Sequence, residues 1–417
     1  MRAHRKYILL SGLYIAQTLP GHFFGNVLPV IMRGQGASLA SIGFLQIIAL
    51  PWLLKFLWAP LVDRATAPGG RYARVIVALQ LMFCLCTAAL ALVGLERQLP
   101  LALGLMALSY VFAATQDIAT DALAVRLLND EERGPGNAAQ TGGNMLGALL
   151  GSGGALIAYQ YLGWAGVMLA MALALLLPLA PLGWLASAIP ARPGAGGEAG
   201  ATGWSGFFRQ RGAGRWTLMM LISYGGSMAC VMITKPLMVD LGFSAARIGL
   251  LTGVHGVGVG LLGAVAAGWL IPRLGRLAVL RGGCLLGAVA AVAMLPLAWG
   301  QTDTAYLLAA IGLGGLGFAA TMTAINTIAM DFTRPGHEGA DYSLQIAISM
   351  IGGGVLMGSS GWLAQEMGYD GVFSLCGALC LAAAGLVSPL CGRQLARRSA
   401  GGVGLLSRAG RGDIGRA

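Results

Sequence analysis

Charged residues are scarce in this chain of 417 residues: only 10% are Asp, Glu, Lys or Arg, and just 16 are acidic. A soluble globular domain carries roughly 25% charged residues, so this composition excludes an ordinary soluble protein. Instead, 57% of the residues are hydrophobic and 66 are glycines. The apolar runs have the length that crosses a bilayer as a helix, and they lack the alternation of barrel strands. The composition predicts an all-α membrane protein with several spans.

Motifs for catalysis and metal binding are also missing. The sequence contains no HExxH, Walker A or nucleophile-elbow pattern, and its seven cysteines include no CxxC pair. Two GxGxxG matches, at 258–263 and 312–317, lie inside apolar segments with no preceding strand, so we interpret them as close helix contacts. We therefore expect no enzyme, no cofactor and no protein-bound metal.

Twelve spans are predicted, and the basic residues between them fall almost entirely in alternate loops. The spans lie at about 7–30, 39–62, 75–94, 101–124, 137–158, 165–187, 216–238, 246–271, 278–299, 305–329, 342–364 and 371–391. The positive-inside rule then places both termini in the cytoplasm. Because this asymmetry accounts for the net charge of +11, we expect a lipid bilayer and no nucleic acid as the partner.

The two halves of the chain resemble each other. SLASIGFL at 38–45 matches SAARIGLL at 244–251, and FAAT at 112–115 recurs at 318–321. The predicted domains are an N-terminal six-helix bundle (1–187), a cytoplasmic linker (188–215), a C-terminal six-helix bundle (216–392) and a disordered basic cytoplasmic tail (393–417). Two parallel six-helix bundles are the plan of the major facilitator fold, in which the substrate binds between the bundles and one bundle rocks against the other.

The loop after helix 2 is similar to the major-facilitator signature G-x-L-x-D-R-x-G-R-R. Asp63 and Arg64 supply its acid and first base, although an Ala-Thr-Ala-Pro stretch is inserted before the next glycine. The equivalent loop after helix 8 has Pro272 where the acid is expected. In that family the acid of the first copy braces helix 11, so the resemblance implies that Asp63 stabilises the outward-facing state.

Few ionisable side chains fall inside the predicted spans, where each is costly. Asp117 and Asp121 are four residues apart on helix 4 and therefore share one face. Two interpretations stand for this pair: proton coupling, or structural pairing with Arg126 or Lys55. Lys55 on helix 2 either reaches back to the membrane surface or pairs with these acids.

Helices 1, 7 and 10 supply candidate substrate contacts. These are Tyr14, His22, Phe23, Phe24, Asn26, Tyr224, Met228, Met232, Met322 and Asn326. Pro20 and Gly21 predict a kink beside His22. For His22, and for His255 on helix 8, the alternatives are coupling or substrate binding on one side and helix packing on the other. This largely apolar lining suits a flat aromatic ligand better than a sugar.

Two segments narrow the resemblance. KFLWAPLVDR at 55–64 and ATQDIATDA at 114–122 resemble the AmpG-like branch of the major facilitators, which includes muropeptide permeases and the RhtX/FptX siderophore permeases. The chain has no room for the two additional helices typical of muropeptide permeases and is therefore more similar to the siderophore permeases. That resemblance implies a monomeric importer in the bacterial inner membrane, carrying a ferric siderophore of the pyochelin type. A muropeptide or other small-solute permease is the alternative, and proton coupling or facilitated diffusion is left open.

Overall fold

The computed structural model describes residues 3–34, 47–66, 71–94, 98–182 and 204–392, and its regular elements are helical throughout these ranges. We number the long helices α1 to α12. The N-terminal half contains α1 (Ala3–His22, Phe23–Val27 and Leu28–Gly34), α2 (Leu50–Leu54, Lys55–Leu57 and Ala59–Thr66), α3 (Tyr72–Leu92), α4 (Leu99–Leu127) and the pair α5 and α6 (Asp130–Leu182). The C-terminal half contains α7 (Ala213–Asp240), α8 (Ala245–Ile248, Gly249–His255 and Gly256–Leu274), α9 (Arg276–Ala298), α10 (Thr304–Asp331) and the pair α11 and α12 (Glu338–Cys391).

The number of spans agrees with the sequence-based prediction. Eight helical stretches in the described ranges are long and apolar enough to cross a membrane, and two of them, of 53 and 54 residues, each contain two spans. Gly163 (φ 63°) divides α5 from α6, and Gly368 (φ 75°) divides α11 from α12. Only glycine adopts such a left-handed conformation readily. The interrupted helices α1 and α2 complete the set of twelve.

Helix α1 is irregular where its sequence predicts a kink. Pro20 lies inside the helix, and a π-helical turn, Phe23–Val27, begins directly after His22. A second π-helical turn, Leu150–Gly154, interrupts α5. The two turns meet, because Asn26 Nδ2 donates to Ser152 Oγ at 3.1 Å. Such turns redirect side chains within an otherwise regular helix.

Much of the predicted linker, and the whole predicted tail at 393–417, lie outside the described residues. Within the linker, the short helix Trp204–Phe208 precedes α7. Trp204 Nε1 donates to the carbonyl oxygen of Phe56 at 3.2 Å. This segment therefore contacts α2 of the N-terminal half.

The two halves are pressed together at the end of the bundle that holds Thr66 and Asp331, which we call the terminal end. There α5 and α8 cross so closely that a Cβ added to Gly268 would lie 3.3 Å from the carbonyl oxygen of Gly134. Toward the opposite end, a Cβ on Gly253 of α8 or on Gly354 of α11 would meet no described atom within 4 Å. The interface is thus closed at the terminal end, and we call the other end, where these two glycines face open space, the open end.

Two glycines of α5 lie where this helix packs against α1. A Cβ on Gly143 would lie 2.9 Å from the carbonyl oxygen of Ser11, and one on Gly147 would lie 2.7 Å from that of Ile15. Both backbone oxygens belong to α1, in the same half. These glycines hold α5 against α1, whereas Gly134 of α5 and Gly268 of α8 lie at the contact between the halves.

Candidate functional site

Lys55 is buried against the two carboxylates of α4. It begins the 3₁₀ turn Lys55–Leu57 of α2, and its side chain is only 2% exposed. Its ammonium group forms an ion pair with Asp117 and lies 3.6 Å from Asp121 Oδ2. The expectation that Lys55 reaches back to the membrane surface is therefore wrong. Pairing with Arg126 is also wrong, because its Nε donates to Glu338 Oε1 of α11 at 3.2 Å.

Uncharged polar groups from three other helices surround these ions. Tyr14 OH of α1 donates to Asp121 Oδ1 at 2.7 Å, and Gln140 Nε2 of α5 donates to the same oxygen at 3.2 Å. Gln17 Nε2 donates to Asp117 Oδ1. Tyr342 OH of α11 donates to Gln140 Oε1 at 3.0 Å. The buried polar cluster consists of Tyr14, Gln17, Lys55, Asp117, Asp121, Gln140 and Tyr342, all of them buried.

The buried polar cluster holds two carboxyl groups and one ammonium group. Within the described part of the chain, Lys55 is the only cation in contact with either carboxylate. With all three groups ionised, the cluster would carry one uncompensated negative charge, and such a charge costs several kcal/mol in a low-dielectric interior. A proton on one carboxylate removes this cost, so the arrangement is chemically suited to bind and release a proton.

Asp63 makes the contact with helix 11 that the signature implies. Its Oδ1 and Oδ2 accept hydrogen bonds from the backbone N–H groups of Gly339 at 2.9 Å and Ala340 at 2.8 Å. The side chain is 3% exposed, whereas its neighbour Arg64 is exposed. Asp63 therefore joins the last turn of α2 to the first turn of α11 across the interface between the halves.

A second charged link closes the same end. Asp331, the last residue of α10, accepts from Arg133 Nη1 of α5 at 2.6 Å and is also paired with Arg276 of α9. The arginines come from different halves. Sequence reasoning did not single out this triad, because the three residues are separated by 55 to 198 positions.

Two of the predicted substrate residues lie toward the open end. Asn26 Nδ2 is 3.2 Å from His22 Nδ1, and it also bonds Ser152, as described above. Lys235 of α7 is exposed and close enough for its charge to act on His22. In the described ranges Lys235 has no ion pair. His22 and Asn26 were predicted as substrate contacts from α1 alone. The structure adds a cation from the C-terminal half, Lys235, to this set of residues.

Phe23 and Phe24 do not face a cavity. They are 0% and 4% exposed and pack against Trp164 and Tyr110, with ring centroids 6.0 and 6.1 Å apart respectively. Their prediction as substrate contacts is wrong for this conformation, because α1 presents these rings to its own half. The short apolar pattern of α1 could not distinguish its two faces.

Among the remaining predicted residues, the apolar side chains pack in the hydrophobic core, and the two polar side chains are described separately. Tyr224 is mostly buried and its ring packs at a tilt against Phe318, with the centroids 6.3 Å apart, while Met228 and Met322 pack against the same apolar core. Asn326 is 4% exposed and its Oδ1 has no hydrogen-bond partner in the described ranges. His255 lies apart from the buried polar cluster: its Nε2 is 2.8 Å from the carbonyl oxygen of Leu308, which joins α8 to α10.

Sequence reasoning missed four polar residues that the structure brings to these sites: Gln17, Gln140, Lys235 and Tyr342. An amide side chain is costly in a bilayer unless it is hydrogen-bonded, so Gln17 and Gln140 could have been found by searching the spans for uncharged polar groups. No local pattern identifies Tyr342, because its partner is 202 residues away.

Two helical bundles that meet at one end, with a charged cluster buried beside their interface, define a polytopic membrane transporter. The profile of the Major Facilitator Superfamily matches residues 10–234 and 215–399, one match for each half, and the chain belongs to this superfamily. The anhydromuropeptide permease of Escherichia coli (strain K12) is 30% identical over 384 residues, which are 88% of this chain and 75% of that relative.

Solved structures agree on the fold. The human organic anion transporter MFSD10 superposes with a TM-score of 0.70 at 14% identity, covering 93% of this chain and 100% of that one. A bacterial homologue of the iron transporter ferroportin, in an outward-facing state, gives 0.68 at 18% identity and covers 94% of this chain and 99% of that one. At such low identities these similarities concern the fold and not the substrate.

Proposed function

We propose that the chain is a secondary transporter that imports an anhydromuropeptide-like solute across the bacterial inner membrane. The observation that carries this proposal is the 30% identity to an anhydromuropeptide permease, which extends over 88% of this chain. The match to the superfamily over both halves of the chain is consistent with this similarity. Nothing in the geometry of the described residues favours the ferric siderophore expected from chain length, so the muropeptide alternative is preferred.

The polar groups toward the open end fit such a solute. A muropeptide carries sugar hydroxyls, amides and peptide carboxylates, which require hydrogen-bond partners and a cation. Lys235 and His22 supply basic groups, and Asn26 supplies an amide beside His22. Asn326 offers a buried Oδ1 that has no hydrogen-bond partner among the described residues. This lining is more polar than the sequence suggested.

The closed terminal end fits an importer that is waiting for substrate. If the termini are cytoplasmic, as the basic loops predict, the open end faces the periplasm and the contacts of Asp63 close the cytoplasmic exit. Substrate enters between the halves, and release on the other side requires those contacts to break. This is the alternating-access cycle of a transporter built from two similar bundles.

We also propose that the carboxylates of α4 couple transport to protons. The cluster can neutralise its excess negative charge with one proton, and it lies beside the interface that must rearrange. Asp117→Asn or Asp121→Asn should then abolish proton-dependent uptake while the amount of folded protein stays unchanged. Asp303→Asn is the matched control, because this exposed carboxylate caps α10 at the open end, far from the cluster.

Uptake by cells that lack the gene and by cells in which it is restored tests the substrate. Restored cells should accumulate labelled anhydromuropeptide, and a protonophore should suppress this accumulation. Excess unlabelled muropeptide should compete, whereas ferric pyochelin should not. Uptake of ferric pyochelin that depends on the gene, without muropeptide uptake, would overturn the proposal and restore the siderophore prediction.

A further inference from the structure

The first turns of α11 are held by three helices of the opposite half. Glu338 pairs with Arg126 of α4, and the next two backbone N–H groups donate to Asp63 of α2. Two residues further on, Tyr342 OH donates to Gln140 of α5. We call residues 338–342 the α11 start segment. This segment must leave the N-terminal half when the terminal end opens, because all three links cross the interface.

Only one of these links reaches the buried polar cluster. Tyr342 is fully buried and Gln140 is 6% exposed. The amide of Gln140 connects two groups of opposite polarity: its Nε2 donates to Asp121 Oδ1 at 3.2 Å, and its Oε1 accepts from Tyr342 OH at 3.0 Å. An unbroken chain of hydrogen bonds therefore runs from a carboxylate of α4 to the α11 start segment.

The orientation of the Gln140 amide depends on the charge of Asp121. An ionised carboxylate offers only acceptors, and Asp121 Oδ1 accepts from both Tyr14 and Gln140. A proton on that oxygen turns it into a donor that faces two donors. The amide relieves this conflict by presenting its Oε1 to Asp121 and its Nε2 to Tyr342. The Tyr342 oxygen can then accept from Nε2, but its own buried hydroxyl proton loses its acceptor, which destabilises the closed state.

We propose that Gln140 and Tyr342 are positioning residues that transmit protonation of Asp121 to α11. Proton binding turns the Gln140 amide, removes the acceptor of Tyr342 and weakens the hold of the N-terminal half on the α11 start segment. The terminal end then opens more readily. The inference rests on the proposed proton coupling but not on the identity of the substrate.

The titratable groups that face Asp121 come from each helix packed around it. They are Lys55 of α2, Asp117 of α4, Tyr14 of α1 and, through Gln140 of α5, Tyr342 of α11. Lys55 can shift its ammonium group between the two carboxylates, but it lies within the N-terminal half. The cross-half step therefore belongs to Gln140 and Tyr342.

Tyr14 provides a matched control. Its hydroxyl bonds the same Asp121 oxygen at 2.7 Å, and like Tyr342 it is fully buried, but α1 and α4 belong to one half. Tyr14→Phe removes a hydroxyl beside the carboxylate without touching the interface. Tyr342→Phe removes the corresponding hydroxyl on the opposite side of the interface between the halves.

A cysteine placed at Ser343 reports opening of the terminal end. Ser343 is fully buried, lies one turn beyond Gly339 on α11, and has no hydrogen-bond partner for its Oγ in the described ranges. Ser343→Cys therefore changes little else. Six of the seven native cysteines are buried and Cys84 is half-buried, so the parent protein measures the background of maleimide labelling.

The experiment measures the labelling rate of Ser343→Cys in purified protein, without substrate, from mildly alkaline to mildly acidic pH. Because maleimide reacts with the thiolate, each rate is divided by the rate of the same variant in denaturant at the same pH. In the otherwise unchanged protein this ratio should rise about tenfold on acidification, since leaving one buried hydroxyl proton unpaired costs about that factor. In Tyr342→Phe and Gln140→Leu the ratio should be high at all pH values, with less than about a twofold change. Tyr14→Phe should keep the pH dependence, with a displaced midpoint.

Two results would overturn the proposal: a pH dependence that survives in both Tyr342→Phe and Gln140→Leu, or its absence from the otherwise unchanged protein. Gel filtration of each variant confirms that it is folded, and the use of two different residues protects against one misfolded variant. Because labelling needs no substrate, the expected pattern together with failed muropeptide uptake would refute the substrate and leave this mechanism standing.

Discussion

Replacing Asp63 by asparagine should open the end of the transporter that this side chain helps to close. Its two carboxylate oxygens accept from the backbone N–H groups of Gly339 and Ala340, and the group is almost completely buried. Hydrogen bonds to a charged group contribute about 1.5–3 kcal/mol each, compared with about 0.5–1.5 kcal/mol for neutral ones. Asparagine keeps one acceptor and turns a donor toward the other N–H, so we expect the closed state to lose about 2–4 kcal/mol.

This loss corresponds to a shift in the population of the open state of at least about 30-fold. Other links remain, including Arg133 with Asp331, so the variant should fold. Maleimide labelling of Ser343→Cys should therefore be about 30-fold faster in the Asp63→Asn background, provided that opening and closing are fast compared with labelling. Asp303→Asn is again the control, because its carboxylate accepts one backbone hydrogen bond, from Tyr306 at 2.9 Å, at the other end of α10. Equal labelling rates with and without Asp63→Asn would refute the reasoning.

Three further outcomes are expected. Lys55→Met leaves two buried carboxylates unpaired at a cost of about 3–5 kcal/mol, so gel filtration should show little folded protein. Adding Asp117→Asn should restore the folded protein. If it does not, the count of two carboxyl groups against one ammonium group in the cluster is contradicted. Thermal unfolding should show Gly147→Ala destabilised by roughly 1–3 kcal/mol, because its Cβ would lie 2.7 Å from a backbone oxygen of α1, whereas Gly153→Ala, with open space, should match the parent. Lys235→Gln should raise the KM for muropeptide uptake about tenfold and Lys235→Arg should not; equal values would remove this cation from the substrate path.

The class of protein and the limits of its spans follow from local sequence. A helix needs about 20 apolar residues to cross the hydrocarbon layer, so the length of each run predicts a span without knowledge of its neighbours. The four-residue spacing of Asp117 and Asp121 likewise predicts one shared helix face, and both side chains contact Lys55. The contact of Asp63 with α11 came from a family signature, and the structure contains it.

Other features depend on how the helices pack. Arg126 and Lys55 are both basic residues near the acids of α4, and their sequence positions did not decide which one pairs with them. The 3₁₀ turn of α2 brings Lys55 inward, while the last turn of α4 directs Arg126 to Glu338. Phe23 was assigned to the wrong face for the same reason, since an apolar ring suits either a cavity or a helix contact.

The sequence by itself determined a major facilitator with two similar six-helix halves, because hydrophobic length, charge asymmetry and internal repetition are properties of the linear chain. Only the tertiary structure decided which end is closed and how Asp121 is connected to α11. Gln140 and Tyr342 are 202 residues apart, on helices of different halves. Their hydrogen bond exists because the two bundles contact each other at one end. The residue pattern within either helix alone does not predict that contact.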